Sequence, residues 1–211
     1  MRGFLFLVLC TVAGSAFAYD TQTWRFKASV GERDIGEHTF TVVTEAGAIQ
    51  VVSQAEFAVK LLFIKAFGYS HEARERYEGG CLRELASTTD TQGEVTRVTA
   101  SSEGNVLTVR NGDEFASLRG CYLGFSYWNP DLLEQSRLIN PQTGELVEVE
   151  IIPQGLTRFA GFPAKAYRLR APELDIGLWY DEQDGRWLGL ESTLEDGRVL
   201  RYEPLAGQES R

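Results

Sequence analysis

The stretch TWRFKASVGERDIGEHTFTVV, residues 23–43, decides the fold class of this chain. Apolar and polar side chains alternate over residues 24–28, which is the period of a strand with one buried face. Residues 31–34 (Gly-Glu-Arg-Asp) are typical of a turn, and residues 35–43 continue as a run rich in β-branched residues. The sequence therefore predicts a β-hairpin at this point.

The same pattern recurs along the rest of the chain. Short β-rich runs alternate with turn residues, and the dipeptides Asp184-Gly185 and Asp196-Gly197 are typical of tight hairpin turns. About ten or more strands in one chain predict a mainly β fold, with a curved antiparallel sheet that forms an open half-barrel or a barrel. The further predicted strands are 49–52, 57–67, 69–77, 82–88, 94–101, 106–110, 138–139, 146–152, 164–170, 176–180, 187–193 and 199–202.

Two segments allow a helix, so the predicted fold includes one or two short helices. Residues 57–67 are continuously apolar, which indicates a strand buried on both faces or a bent strand, with a helix as the alternative. In residues 115–133, aromatic and leucine side chains recur at three- and four-residue spacing until Pro130 interrupts them. We expect a short helix there that ends near Trp128.

The first eighteen residues have the features of a cleaved secretory signal peptide. Arg2 precedes an apolar run at residues 4–12, and Ala16-Phe17-Ala18 is a small-x-small cleavage site. A lipid-attachment site at Cys10 is the weaker alternative, because Leu9 stands where a small residue is required. We therefore expect a periplasmic or secreted protein cleaved after Ala18, with a single β-rich domain at residues 19–211 and no transmembrane segment in the mature chain.

Charge and cysteine content limit the classes of function. The chain has 21 Lys and Arg against 30 Asp and Glu, and loss of residues 1–18 removes one cation, which changes the net charge from −9 to −10. Such acidity argues against nucleic-acid binding and against adhesion to anionic lipid. The mature chain keeps two cysteines, Cys81 and Cys121, for which a disulfide is the simplest prediction in an exported protein and two buried thiols are the alternative.

The two histidines of the chain, His38 and His71, are the candidates for acid-base chemistry. On alternating strands, His38 shares a face with Phe40, while His71 shares one with Glu75. If both faces point inward, the three polar groups form a ligand-contacting or proton-transferring cluster; the alternative is a pair of buried structural histidines. The spacing matches no metal-binding motif, so no metal site is predicted.

Aromatic residues are the candidates for a binding site. Their alternative role is to fill the core of the sheet. We predict that they line an apolar groove. The sequence has neither a nucleophile elbow nor a phosphate-binding loop, which argues against nucleophilic catalysis, and we expect no cofactor. The predicted ligand-binding residues are Tyr69, His71, Tyr127, Trp128, Trp179 and Trp187.

Several short motifs together resemble one family. The most distinctive are Tyr127-Trp128-Asn129-Pro130 and Asn140-Pro141-Gln142-Thr143-Gly144. With them, the chain resembles a family of exported bacterial proteins that is a domain of unknown function, and its carboxy-terminal half is similar to periplasmic half-barrel proteins such as lipoprotein carriers. The resemblance implies a fold with a groove, and it implies no activity.

These features lead to one functional hypothesis and two alternatives. The first is a non-catalytic periplasmic protein that binds or carries a lipid or another apolar or amphipathic molecule, or that assists envelope assembly. The second is an envelope hydrolase that uses His38 or His71 with Glu75 as acid-base groups. The third is an interaction module whose groove holds a peptide or a lipoprotein partner from the envelope.

Overall fold

A computed structural model describes residues 19–61, 64–194 and 196–205 of the chain, and the predicted signal peptide lies outside these residues. In the described part, the chain forms sixteen strands and one short 3-10 helix, Pro130–Glu134. No helix there has the length and apolarity needed to cross a membrane. The strands are β1 Tyr19–Val30, β2 Arg33–Glu45, β3 Ala48–Leu61, β4 Ile64–Glu78, β5 Cys81–Thr91, β6 Glu94–Glu103, β7 Val106–Asn111, β8 Glu114–Arg119, β9 Leu123–Gly124, β10 Arg137–Ile139, β11 Leu146–Glu148, β12 Glu150–Phe159, β13 Phe162–Ala171, β14 Leu174–Asp181, β15 Trp187–Thr193 and β16 Val199–Pro204.

Thirteen of these strands form one curved antiparallel sheet, in the order β12-β13-β14-β15-β16-β1-β2-β3-β4-β5-β6-β7-β8. Neighbours in the sheet are neighbours in sequence, except that β16 pairs with β1 and so joins the last described strand to the first. The strands β12 and β8 are edges, so the sheet is open. The prediction of a mainly β fold with a large curved antiparallel sheet is confirmed.

The hairpin predicted at residues 23–43 is formed by β1 and β2. Trp24 lies opposite Phe40 and Phe26 opposite His38, so these side chains share one face of the sheet. Gly36 is required at its position because φ is +152° and a Cβ atom there would lie 1.9 Å from the carbonyl oxygen of Glu56. β2 and β3 approach so closely at Gly36 that no side chain fits.

The core lies between the inner face of the sheet and residues 122–149, which we call the inner segment. The inner segment carries β9, β10, β11 and the 3-10 helix, and its side chains Leu132, Leu138 and Ile139 are fully buried. It crosses the sheet from one half to the other, since the Tyr180 hydroxyl of β14 donates to the Tyr127 carbonyl at 2.9 Å. On the other side, the Ser87 hydroxyl of β5 donates to a carbonyl of the inner segment.

The prediction of a helix in residues 115–133 that ends near Trp128 is wrong. Edge strand β8 and short strand β9 occupy the first part, and the only helix in the described residues is the 3-10 helix Pro130–Glu134. Pro130 has no amide hydrogen and cannot continue a helix from Trp128, but it fits the first position of a new one. The Asn129 side chain caps that helix by accepting from the Asp131 amide at 3.0 Å.

Two of the predicted strands are each divided in the structure. Residues 57–67 are not one strand, because β3 ends at Leu61 and β4 begins at Ile64, which makes this stretch the end of a hairpin. Residues 146–152 are also divided: β11 belongs to the small sheet with β9 and β10, whereas β12 is an edge of the large sheet. A continuous apolar run does not show where the chain reverses.

A disulfide joins Cys81 to Cys121, as predicted from the even number of cysteines in the mature chain. It connects the first residue of β5 to the residue before the inner segment. Next to it, the Leu82 amide donates to the Tyr122 carbonyl at 2.8 Å. The disulfide and this hydrogen bond therefore hold the start of the inner segment against the sheet.

Candidate functional site

A cavity of about 210 Å³ lies between the inner face of the sheet and the inner segment. Strands β2, β3, β4, β14, β15 and β16 contribute to its wall, and residues 125–128 and 140–142 of the inner segment cover it. The residues that line it are His38, Phe40, Val51, Ser53, Tyr69, His71, Ala73, Glu75, Phe125, Ser126, Tyr127, Trp128, Asn140, Pro141, Gln142, Leu174, Ile176, Leu190, Ser192, Leu200 and Tyr202.

Strands β2 and β4 bring the two histidines to this cavity. His38 Nε2 lies 2.7 Å from the Ser53 hydroxyl and its Nδ1 lies 3.2 Å from the Tyr202 hydroxyl, so both ring nitrogens have partners. His71 Nδ1 lies 2.8 Å from the Thr89 hydroxyl. Its Nε2 has no hydrogen-bond partner among the described residues.

Glu75 forms a second polar cluster in the cavity wall. Its Oε2 accepts from the Tyr77 hydroxyl at 2.6 Å and from the Ser126 hydroxyl at 3.3 Å. The Tyr77 and Ser126 hydroxyls are 2.6 Å apart, so the three side chains form a triangle. Glu75 Oε1 has no hydrogen-bond partner among the described residues.

Burial disfavours the charged forms of the ionisable groups of the cavity. It lowers the pKa of His38 to about 3, with repulsion from His71 as a smaller cause, and it lowers the pKa of His71 to about 4. Burial raises the pKa of Glu75, although the hydrogen bonds from Tyr77 and Ser126 partly oppose this rise. The two imidazoles are therefore neutral at pH 7, and Glu75 keeps its proton to a higher pH than an exposed glutamate does.

The structure brings some of the predicted site residues together and separates others. His38, His71 and Glu75 line one cavity, but within the described part of the chain no hydrogen bond joins either histidine to Glu75. Each of the three polar groups is held by its own hydroxyl partners. The arrangement therefore contains no continuous proton relay.

Some of the aromatic residues predicted to bind a ligand line the cavity, and others do not. Tyr69, Tyr127 and Trp128 line the cavity. Trp187 is fully buried beside it, with its ring centroid 4.3 Å from that of Phe26. Trp179 stacks on Phe159 at 4.4 Å, in a separate cluster that does not touch the cavity.

Sequence reasoning missed several residues of the wall. Phe40 and Tyr202 come from strands β2 and β16, which are adjacent to β1 on either side. Phe125 and Ser126 come from the inner segment, in which no strand or helix period indicates the direction of a side chain. Alternation with His38 indicates the face of Phe40, but the sequence has no signal that β16 pairs with β1.

The donor set of the site does not favour a metal ion. In the described part of the chain, no three or more His, Cys, Asp or Glu side chains form a group that could hold one. The neutral imidazoles, hydroxyls, amides and aromatic rings are instead suited to hydrogen bonding and apolar contact with an organic molecule. The Ser53 hydroxyl, 2.7 Å from His38 Nε2, has the composition of a nucleophile beside its base, as has the Thr89 hydroxyl 2.8 Å from His71 Nδ1.

The fold and the site define an open-sheet β protein with a small cavity of mixed polarity on its inner face. The family model described as "Domain of unknown function (DUF6134)" matches residues 26–205, and the chain belongs to this family. The resemblance to a domain of unknown function is thereby confirmed, while the likeness to lipoprotein carriers stays a prediction. Among curated proteins none matches the chain.

Proposed function

We propose that the mature protein binds a small amphipathic molecule in the cavity and carries it, or presents it for envelope assembly, without catalysing a reaction. The observation that carries this proposal is the pair of cavity-lining polar atoms without protein partners, His71 Nε2 and Glu75 Oε1. Both atoms belong to residues that line the cavity, so polar groups of a molecule bound there can supply their hydrogen-bond partners.

The size of the cavity limits the ligand. At about 210 Å³ it exceeds the roughly 150 Å³ of an engineered cavity that binds benzene, and it is below the range of about 300–1,000 Å³ for pockets that hold drug-sized ligands. The ligand is therefore a molecule somewhat larger than benzene, with apolar surface for the aromatic rings and at least one polar group.

Export to an oxidising compartment is the second part of the proposal. Residues 1–18 have the pattern of a cleaved signal peptide. The disulfide between Cys81 and Cys121 agrees with that location, because such bonds persist mainly outside the reducing cytosol.

Native mass spectrometry of the protein purified from the envelope tests the binding proposal. Ser192 lines the cavity, so Ser192→Phe fills part of its volume, whereas the exposed neighbour Thr193 allows the matched control Thr193→Phe on the opposite face of β15. We expect a small-molecule adduct on the wild type and on Thr193→Phe, and none on Ser192→Phe. A wild type without an adduct contradicts the proposal, and a co-purifying polypeptide favours the interaction module.

The contact between Ser53 and His38 favours one second candidate, an envelope hydrolase. In that function His38 accepts the Ser53 proton while the Tyr202 hydroxyl orients the ring from the other side. A serine-reactive fluorophosphonate probe distinguishes the two candidates. Labelling of the wild type that is lost in Ser53→Ala favours the hydrolase, and an unlabelled wild type favours binding alone.

A further inference from the structure

The cavity wall contains one acidic side chain and, apart from the two histidines, no basic one among the described residues. Among the described residues that line the cavity, Glu75 is the only carboxylate, and none is Lys or Arg. In the sheet, Glu75 lies opposite Val51 of β3 and Leu85 of β5, which are both apolar. From the inner segment, the uncharged residues Gly124 and Ser126 face it. No cation of the described chain therefore balances this carboxylate.

The two oxygens of Glu75 have different surroundings. Hydroxyl donors from Tyr77 and Ser126 satisfy Oε2, whereas Oε1 lies beside Gly124 at the cavity wall and has no hydrogen-bond partner among the described residues. An unpaired buried charge is costly, and a buried carboxylate becomes favourable when a cation with good geometry lies against it. Glu75 is thus held in position, and no described residue that lines the cavity supplies a cation for its ionised form.

Aromatic rings surround the same cavity. Rings attract organic cations through their faces, and this attraction strengthens when water is excluded. The net charge of −10 on the mature chain also favours the approach of cations over anions. The six aromatic residues of the wall, other than the histidines, are Phe40, Tyr69, Phe125, Tyr127, Trp128 and Tyr202.

We propose that the ligand of this cavity is a small organic cation, an amine with an apolar body, whose ammonium group pairs with Glu75 Oε1 while its body lies against the aromatic rings. This inference rests on the proposed binding function and specifies its ligand class. His71 Nε2 is available for a second hydrogen bond to the same molecule.

Three probes of similar shape test the charge preference by isothermal titration calorimetry: benzylamine, benzyl alcohol and benzoate. We expect wild-type protein to bind benzylamine about tenfold more tightly than benzyl alcohol, which corresponds to about 1.4 kcal/mol, and to bind benzoate least. Glu75→Gln keeps the shape and the hydrogen-bond acceptor but removes the charge, so it abolishes the preference. Glu72→Gln, on the exposed face of the same strand, is the matched control and retains it.

The pH dependence gives an independent readout. Because burial raises the pKa of Glu75 above its ordinary value of 4.5, an amine displaces a proton from the carboxyl, and benzylamine affinity rises with pH above 4.5 while that of benzyl alcohol does not. Burial keeps the other titratable groups around the cavity neutral in this range. These are His38, Tyr69, His71, Tyr77, Tyr127 and Tyr202.

The outcomes separate this inference from the proposed function. Equal or tighter binding of benzyl alcohol, or a preference for benzylamine that survives in Glu75→Gln, overturns the amine assignment and leaves small-molecule binding intact. If no probe binds, the molecule that native mass spectrometry finds on the protein purified from the envelope tests the assignment. An amine supports it, and a neutral or anionic molecule overturns it. Absence of both probe binding and adduct removes the proposed function as well.

Discussion

The buried histidines predict that the protein loses stability in mild acid, and that His71→Asn reduces this loss. In the unfolded chain each imidazole binds a proton near its ordinary pKa of 6.5, whereas in the fold burial lowers the pKa of His38 to about 3 and that of His71 to about 4. The stability that depends on neutral imidazoles is present above pH 6.5 and is lost as the pH falls toward the folded values.

The magnitude follows from the number of protons taken up on unfolding. Each histidine removes about 1.4 kcal/mol of unfolding free energy per pH unit once the pH is below 6.5, so the pair removes about 3 kcal/mol per unit. Glu75 contributes to the pH dependence with the opposite sign. Because its pKa is raised in the fold, its contribution to the unfolding free energy increases as the pH falls toward 4.5, and this offsets at most the loss from one histidine. Against a typical total of about 5–15 kcal/mol, this loss brings the protein close to unfolding near pH 4.

Urea unfolding at pH 7, 6 and 5, followed by tryptophan fluorescence, measures the effect. Asparagine keeps a polar atom near the position of Nδ1, so His71→Asn preserves a partner for Thr89 and removes one titrating group. We expect its unfolding free energy to fall between pH 6 and 5 by about 1.4 kcal/mol less than that of the wild type. Thr89→Val is the control, because it lowers stability without changing the slope. Parallel slopes for wild type and His71→Asn would refute the reasoning.

Three further predictions concern the fold. Replacement of Cys81 and Cys121 by serine lowers the unfolding free energy by about 4 kcal/mol in urea titrations, since the disulfide closes a loop of 40 residues. Gly36→Ala costs more than about 3 kcal/mol because its Cβ meets a backbone oxygen, whereas Gly104→Ala, with open space around it, costs about 1–2 kcal/mol. Leu132→Ala costs about 2–5 kcal/mol by calorimetry, because this side chain is fully buried; a smaller cost would show that the inner segment is loosely packed.

The strands of the large sheet were predictable because their signals are local. Alternation over residues 24–28 and the turn after it are sufficient for the first hairpin, and Asp184-Gly185 and Asp196-Gly197 lie in the connections that follow β14 and β15. Each such hairpin needs only neighbouring residues to specify it. The strands of an antiparallel sheet built almost wholly from sequential hairpins can therefore be predicted from one sequence.

The inner segment was not predictable because tertiary contacts determine its conformation. The spacing of Phe125, Trp128 and Leu132 resembles that of a helix, but Phe125 and Trp128 are partly buried from a loop, and Leu132 is buried from a 3-10 helix. Pro130 already argued against one continuous helix. The pairing of β16 with β1 is likewise a long-range contact with no local signature.

The alternation of side chains between the two faces of a strand explains which site residues the sequence could place in one cavity. His71 and Glu75 are four residues apart on β4 and must share a face, so their common cavity follows from a correct strand assignment. The same rule separates Trp179 from Tyr180, which are adjacent on β14 and face opposite sides. The pairing of β14 with β15 shifts in register between Trp179 and Tyr180, but the two side chains still belong to separate clusters.

A crystal structure of the protein as purified from the envelope tests the proposed binding site most directly. We expect density for a small organic molecule in the cavity, within hydrogen-bond distance of His71 Nε2 and with a nitrogen atom against Glu75 Oε1. A cavity filled by protein side chains, or one in which ordered waters alone satisfy these two atoms, would contradict it.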